Sequence, residues 1–422
     1  VPRPLSYRIP FASPLRSSPL PALAALLAVL AAAVGLVTLD TARAEAATLQ
    51  RVSSFGANPG ALDMYAYVPD SAGSGAPLVV LLHGCTQNAT GYHGNSGWDG
   101  VADERGAVLV YAQQRSGNNM NSCFNWFQPG DTARGSGEAA SIRQMIDYAA
   151  AQYGATGGVY VSGLSAGGAM ASEMLSAYPE VFAGGSIVGG LPTGCAGSLL
   201  EATTCMNSGK QQSAEQWGDE VRAKNPGYSG PWPRVEIWHG SADYTVRPVN
   251  AEASRDQWVN VHGASTGPNR TEQRPSGTTT EFHDAGGEPV VALNTVSGMG
   301  HGTPVDPSAG CGSAGAYFLD TLCSAQYTAD FLGVGSDTGP DPDPTPDPTP
   351  TPEPTPSPDP TPEPGECVTA SNYAHVAAGR AEHRMGRAYT VGGGDDLGLW
   401  SLGVTSSVRE TEPGHWEEVS GC

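Results

Sequence analysis

Ser165, Asp243 and His301 are the residues of this chain best placed to do chemistry. Ser165 sits in Gly163-Leu164-Ser165-Ala166-Gly167. An apolar run at 159–161 leads into it, and a helix-like stretch at 168–178 follows. A strand, a sharp turn through G-x-S-x-G and a helix together form a nucleophile elbow, which lifts a serine hydroxyl clear of a sheet edge. The glycines suit such a turn, because a Cβ at either position would clash. A serine hydroxyl is a weak nucleophile at neutral pH and needs a base, oriented by an acid. After an elbow serine these follow in the order Asp or Glu, then His. Asp243, in Trp238-His239-Gly240-Ser241-Ala242-Asp243, comes just past an apolar run, at the carboxyl end of an expected strand. Catalytic groups collect at that edge of open α/β sheets. His301 lies in Gly298-Met299-Gly300-His301-Gly302, a glycine-flanked loop after the next strand.

The other histidines fit the base less well. His83 precedes the nucleophile, His239 ends a strand, and no clear strand leads into His262. His283 has no adjacent glycine, and His93 is on an early loop. Plain alternatives are a Gly/Ser turn at Ser165 and a turn-capping role for Asp243. Asp306 follows His301 and breaks the order. A tetrahedral intermediate carries an oxyanion that needs two N–H donors. The Ala166 backbone, directly after the nucleophile, supplies one. The Cys85 N–H, in the His83-Gly84-Cys85 loop after an early strand, is nominated for the other. A Cys85–Cys123 disulfide would bring Phe124-Asn125-Trp126-Phe127 beside the site. Trp126 is then a candidate wall for an apolar substrate, or else a core residue under the loop.

Positioning these groups takes a sheet. Runs at 62–68, 76–82 and 107–112 read as strands, and 98–105 as a crossover helix. Residues 138–153 place Ile142, Met145, Ile146, Ala149 and Tyr153 on one helical face. Further strands are expected at 185–188, 235–239 and 290–296, and a last helix at 314–332. Residues 195–230 lack clear periodicity and read as an insertion over the site. Strands alternating with helices indicate α/β architecture with a mostly parallel sheet.

The chain has 422 residues and a formal net charge of −21, with lysine nearly absent. That opposes nucleic acid or anionic membrane as a partner. Arg3, Arg8 and Arg16 precede an apolar stretch at 20–39, and A-x-A sites end at Ala44 and Ala46. This predicts a signal peptide and an exported protein, with an uncleaved anchor as the competing reading. Eight cysteines in an exported chain imply disulfides. Pairing sequence neighbours joins 85 to 123, 195 to 205, 311 to 323 and 367 to 422. From Pro340 to Pro364 every second residue is proline. Such a run is extended and spans roughly 75 Å. The residues beyond it, with Tyr373, Tyr389, Leu397, Trp400 and Trp416, read as a small β-module. Its aromatics serve as core or as a binding face.

His83-Gly84-Cys85-Thr86-Gln87, the 123–127 stretch, Gly163 to Gly168, Trp238-His239-Gly240 and Gly300-His301-Gly302 together resemble the esterase family of extracellular polyhydroxybutyrate depolymerases. The resemblance covers about 48–333 and implies an α/β-hydrolase fold. That family also includes acetylxylan and feruloyl esterases. Val368-Thr369-Ala370-Ser371-Asn372-Tyr373-Ala374-His375, with Ala378-Gly379-Arg380-Ala381, resembles the substrate-binding module of short-chain polyester depolymerases. The expected layout is a signal peptide (1–46), an α/β-hydrolase catalytic domain with a mostly parallel sheet (47–335), a linker (336–366) and a polymer-binding module (367–422). The expected activity is that of a secreted serine esterase cleaving poly(3-hydroxybutyrate)-type polyester through an acyl-enzyme. No metal or organic cofactor is required. The expected partner is insoluble polyester, with no nucleic acid and no stable membrane association after signal removal. The alternatives are a carbohydrate esterase acting on plant polysaccharide esters and a non-catalytic polymer-binding protein.

Overall fold

The structure, a computed structural model, describes residues 47–335 and 367–422, apart from 378–379, 385–386, 400–403 and 413–414. The expected signal peptide and proline-rich linker lie outside the described residues.

Ten strands form one sheet. They are β1 (Gln50–Val52), β2 (Asp63–Tyr67), β3 (Leu78–Leu82), β4 (Val108–Gln113), β5 (Val159–Leu164), β6 (Gly184–Val188), β7 (Arg234–Gly240), β8 (Arg270–Arg274), β9 (Thr278–Ala285) and β10 (Glu288–Val296). Their order is β1-β2-β4-β3-β5-β6-β7-β10-β9-β8. From β4 to β10 in that order the neighbours pair in parallel. The strands outside this block pair antiparallel. The central strands are covered on both faces, which is why β3 reads as an uninterrupted apolar run, Leu-Val-Val-Leu-Leu, every residue buried.

The helix Gly137–Tyr153 buries the face expected of it, including Ile142, Met145, Ile146 and Ala149. The helix Ala166–Ala177, directly after β5, is buried on all sides. Its alanines and glycines let it pack against β3, β5 and β6 at once. The crossover helix forms at Trp98–Arg105, as its sequence suggests.

Several elements differ from expectation. Residues 195–230 are largely helical, as Leu199–Ser208 and Ala214–Lys224. The second has a capping box between Ser213 and Gln216. The helix Val249–His262 hides its periodicity because its buried face carries polar residues. Gln257 donates to the carbonyls of Thr193 and Trp217, and Asn250 to that of Cys205. The helix expected at 314–332 is only Ser324–Leu332. The residues expected to begin it instead form a loop and β12 (Phe318–Asp320), which pairs with β11 (Thr303–Val305). The Cys311–Cys323 disulfide closes this segment. The pairs Cys85–Cys123, Cys195–Cys205 and Cys367–Cys422 also form.

Residues from Cys367 onward form two three-stranded sheets. One contains β13 (Cys367–Ser371), β17 (Thr405–Glu412) and β18 (His415–Val419), and the other β14 (Ala381–Arg384), β15 (Arg387–Thr390) and β16 (Asp396–Leu399). A short helix, Asn372–Ala377, comes directly after β13. The buried core is small: Ala381, Ala388, Leu397 and Val408, with Trp416 packed against it. Trp416 is thus partly a core residue, and Trp400 lies outside the described residues.

Met145 is fully buried where the helix Gly137–Tyr153 meets the core. Met145→Ala is expected to lower unfolding free energy by about 2–5 kcal/mol. Urea titration checks this, and the folded variant should keep its ester-hydrolysis constants.

Candidate active site

The elbow forms where β5 runs out. Ser165 has φ 58° and ψ −118°, a left-handed φ that a serine adopts only when its surroundings enforce it. Two close approaches supply the enforcement. A Cβ on Gly163 would collide with Gly167 O, and one on Gly167 with Leu82 O. The Ser165 N–H donates to Val188 O at 2.8 Å, pinning the turn to the end of β6. The helix begins at once, with Ala169 N–H donating to Ser165 O at 2.8 Å. Ala166 is therefore at the first helical position, where the N–H has no acceptor within its own helix.

The same approach brings the β3 loop against the elbow, since Gly167 faces the carbonyls of both Leu82 and His83. Among the described residues, no acceptor takes the Cys85 N–H. His83 is buried, and burial pushes its ring down to about 4. Its Nε2 accepts from the Gln114 N–H at 3.1 Å, so Nδ1 carries the proton and donates to Gly84 O at 2.7 Å. Gly84 O and Cys85 N–H belong to one peptide plane, and this bond fixes how that plane is turned. The Cys85–Cys123 disulfide holds the loop from the other side. Cys123 O in turn accepts from Gln114 Nε2 at 3.1 Å. Gln114 also donates to Glu138, whose second carboxylate oxygen accepts from Asn125 N at 2.9 Å. Burial raises Glu138 to about 8.

Asp243 and His301 lie in the loops that follow β7 and β10. Ser241 N donates to Val296 O at 2.9 Å and Ala242 N to Met299 O at 2.9 Å, which staples the two loops together. Asp243 is 1% exposed. One carboxylate oxygen accepts from the N–H groups of Thr245 and Val246 at 2.8 and 2.9 Å. The other accepts from His301 Nδ1 at 2.7 Å. Burial pushes the Asp243 carboxyl up, but the bond and charge of His301 and the Val246 N–H together hold it below its ordinary value. A carboxylate only accepts, so the proton is on Nδ1 and Nε2 is the basic nitrogen of His301. A Cβ on Gly189 would lie 3.3 Å from the His301 ring, so this residue's hydrogen side chain makes room for it. Gly189 directly follows Val188, the residue that holds Ser165.

Trp126 corrects one expectation. It is 5% exposed and packed edge-on to Phe127 within the core, so it offers no open wall to a substrate. The open space beside the disulfide is instead a cavity of about 570 Å³, lined by Asn119, Met120, Cys123, Phe127 and Leu199. His239 is a neighbour that the linear pattern did not reveal. Its Nε2 lies 3.4 Å from Asp243 and donates to Val246 O at 2.8 Å. Burial lowers its pKa. Of the rival bases, His262 contacts Pro233 O and His283 contacts Ser265 O, both as structural partners.

The profile of the family described as "Esterase PHB depolymerase" matches residues 62–282. The chain belongs to this esterase family. Poly(3-hydroxyalkanoate) depolymerase C of Paucimonas lemoignei is 47% identical over 68% of this chain and 70% of that protein. Feruloyl esterase B of Talaromyces funiculosus is 34% identical over 62% of this chain and 75% of that protein. Among solved structures, acetyl xylan esterase from Aspergillus awamori superposes with a TM-score of 0.59 at 27% identity. It covers 68% of this chain and 99% of that chain. Membership of the PHB depolymerase esterases makes the protein a carboxylic ester hydrolase on an α/β-hydrolase fold.

Because His83 titrates near 4 when folded and near 6.5 when unfolded, its neutral burial stabilises fully above about pH 6.5. That contribution is lost as pH falls through about 4. Between these limits wild type should lose up to about 3 kcal/mol more unfolding free energy than His83→Gln. His239 and His262 titrate in both proteins, so urea titrations across this range isolate the His83 difference.

Proposed function

We propose that this esterase hydrolyses a poly(3-hydroxybutyrate)-type polyester, with Ser165 as nucleophile, His301 as base and Asp243 as the orienting acid. The buried His301–Asp243 hydrogen bond supports the chemistry, together with the strained elbow at Ser165, to which His301 is linked through Gly189 and Val188. The 47% identity to a poly(3-hydroxyalkanoate) depolymerase supports the substrate. Ser165 Oγ attacks the ester carbonyl while His301 Nε2 takes its proton. Asp243 holds the Nδ1–H and stabilises the imidazolium that forms. The oxyanion is received by the N–H groups of Ala166 and Cys85, aided by the positive end of the helix Ala166–Ala177. His301 then protonates the leaving alkoxide, and the acyl-enzyme remains. Water, activated by the same histidine, releases the hydroxyacyl product.

The remaining parts of the chain fit this task. Residues 1–46 serve as export signal, and the four disulfides suit an oxidising destination. Residues 336–366 serve as spacer. The module at 367–422, closed end to end by Cys367–Cys422, holds the enzyme on an insoluble surface and raises local concentration. Similarity to feruloyl and acetylxylan esterases supports a second reading, in which the substrate is a plant polysaccharide ester.

Ser165→Ala should reduce ester turnover by about 10⁶ and leave polymer binding intact. Asp243→Asn should reduce kcat by about 10⁴, because the wrong histidine tautomer is then favoured. Appreciable turnover by Ser165→Ala would refute the nucleophile. Removal of 367–422 should spare soluble esters and impair clearing of polyester granules, read by turbidity. Release of acetyl or feruloyl groups from xylan, without granule clearing, would favour the second reading.

A further inference from the structure

Tyr317 occupies a place that its side chain does not suit. Gly315 and Phe318 exchange hydrogen bonds at 2.9 and 3.1 Å, making a tight turn with Tyr317 third of four. Its φ is +64°, a value that favours glycine or asparagine at that position. The side chain is not repaid by burial, since Tyr317 is 43% exposed. Instead its ring stands edge-on to His301, with centroids 6.1 Å apart and planes at 77°. The backbone is anchored on the base's own loop, with Thr303 N–H donating to Tyr317 O at 2.8 Å. Pairing of β11 with β12 and the Cys311–Cys323 disulfide brace the turn further. Among the described residues nothing bonds its hydroxyl. Strain of this kind clusters at sites that contact ligands.

The sheet order says which part of the substrate that is. The Cys85 loop follows β3, on one side of the β5 elbow, whereas His301 follows β10, on the other. The carbonyl oxygen therefore turns toward β3, and the leaving oxygen toward His301, which must protonate it. A group beside His301 and open to solvent lies along the alcohol portion of the ester. We propose that Tyr317 is the wall of a leaving-group subsite that binds an extended apolar alcohol segment, such as the next hydroxyacyl units of a polyester. The inference rests on the roles given above to Ser165, Asp243 and His301. A flat ring accepts methyl-bearing ester units by contact without demanding a hydrogen bond from them.

The test follows the trimer ester nearest the hydroxyl end, where the acyl group is the same 3-hydroxybutyryl as in the methyl ester and only the alcohol differs. The full chain, Tyr317→Gly and Tyr317→Phe are compared on a 3-hydroxybutyrate trimer and on methyl 3-hydroxybutyrate. Tyr317→Gly should lower kcat/KM for the trimer on the order of tenfold more than for the methyl ester, mainly through KM. Tyr317→Phe should restore most of the ratio. The acid limb of the pH–rate profile should stay in place, and the melting temperature should hold or rise because glycine suits the turn. Equal loss on both esters with a shifted acid limb would overturn the proposal in favour of a ring that merely positions His301. An unchanged ratio would overturn it as well. Wild type inactive on the trimer would refute the polyester reading, and the comparison would then use methyl against hexyl 3-hydroxybutyrate.

Discussion

The site depends on how closely two backbones approach at the end of the sheet. Gly167 sits against the carbonyls of Leu82 and His83, and Gly163 against Gly167 itself. With no side chains between them, β5 can turn sharply into the helix Ala166–Ala177 while touching the end of β3. That contact does three things at once. It forces Ser165 into a left-handed conformation, puts the helix N-terminus directly after it, and sets the end of β3 and His83 against Gly167. Strain of this kind costs on the order of 1–3 kcal/mol and persists only where packing over-determines it. Here the Ser165–Val188 hydrogen bond and the fully buried helix provide that determination.

A second constraint is the buried charge of Asp243. An ionised carboxylate removed from water must be met by donors. Two backbone N–H groups and His301 meet it, and their combined effect exceeds the opposing effect of burial. His239 reinforces the arrangement indirectly. It holds the carbonyl of Val246, whose N–H serves Asp243. The imidazoles around the site that burial keeps neutral, His83 and His239, act as fixed hydrogen-bond parts and not as competing bases.

Of the seven described non-glycine residues with positive φ, Thr86 and Ser122 flank the Cys85–Cys123 disulfide, Ser165 is the elbow, and Tyr317 faces His301; the others are Asn58, Ala61 and Ser276. The loop after β3 is held by the disulfide, by His83 and by the Gln114–Glu138 pair below it. Oxyanion donors have to be in place before charge develops, so this rigidity suits the role proposed for the Cys85 N–H.

The elbow at Ser165 and the loops that carry Asp243 and His301 were legible in the chain because each is a local pattern: an apolar strand followed by a turn. The parallel sheet was legible for the same reason, since doubly covered strands are continuous apolar runs. The helix Val249–His262 was not, because Asn250 and Gln257 satisfy buried carbonyls and break its apolar stripe. Nor was the fate of 314–323, where β12 and a disulfide replace an expected helix. Trp126 could be wall or core until packing placed it in the core. The amino-acid order alone determined the G-x-S-x-G turn and the candidates Asp243 and His301, since each is marked by residue type and local turn pattern. Tertiary structure decided what surrounds them: the neutral His239 beside Asp243, the Gln114–Glu138 support and the Tyr317 ring. Those contacts join residues tens to hundreds of positions apart, and only the folded sheet brings them together.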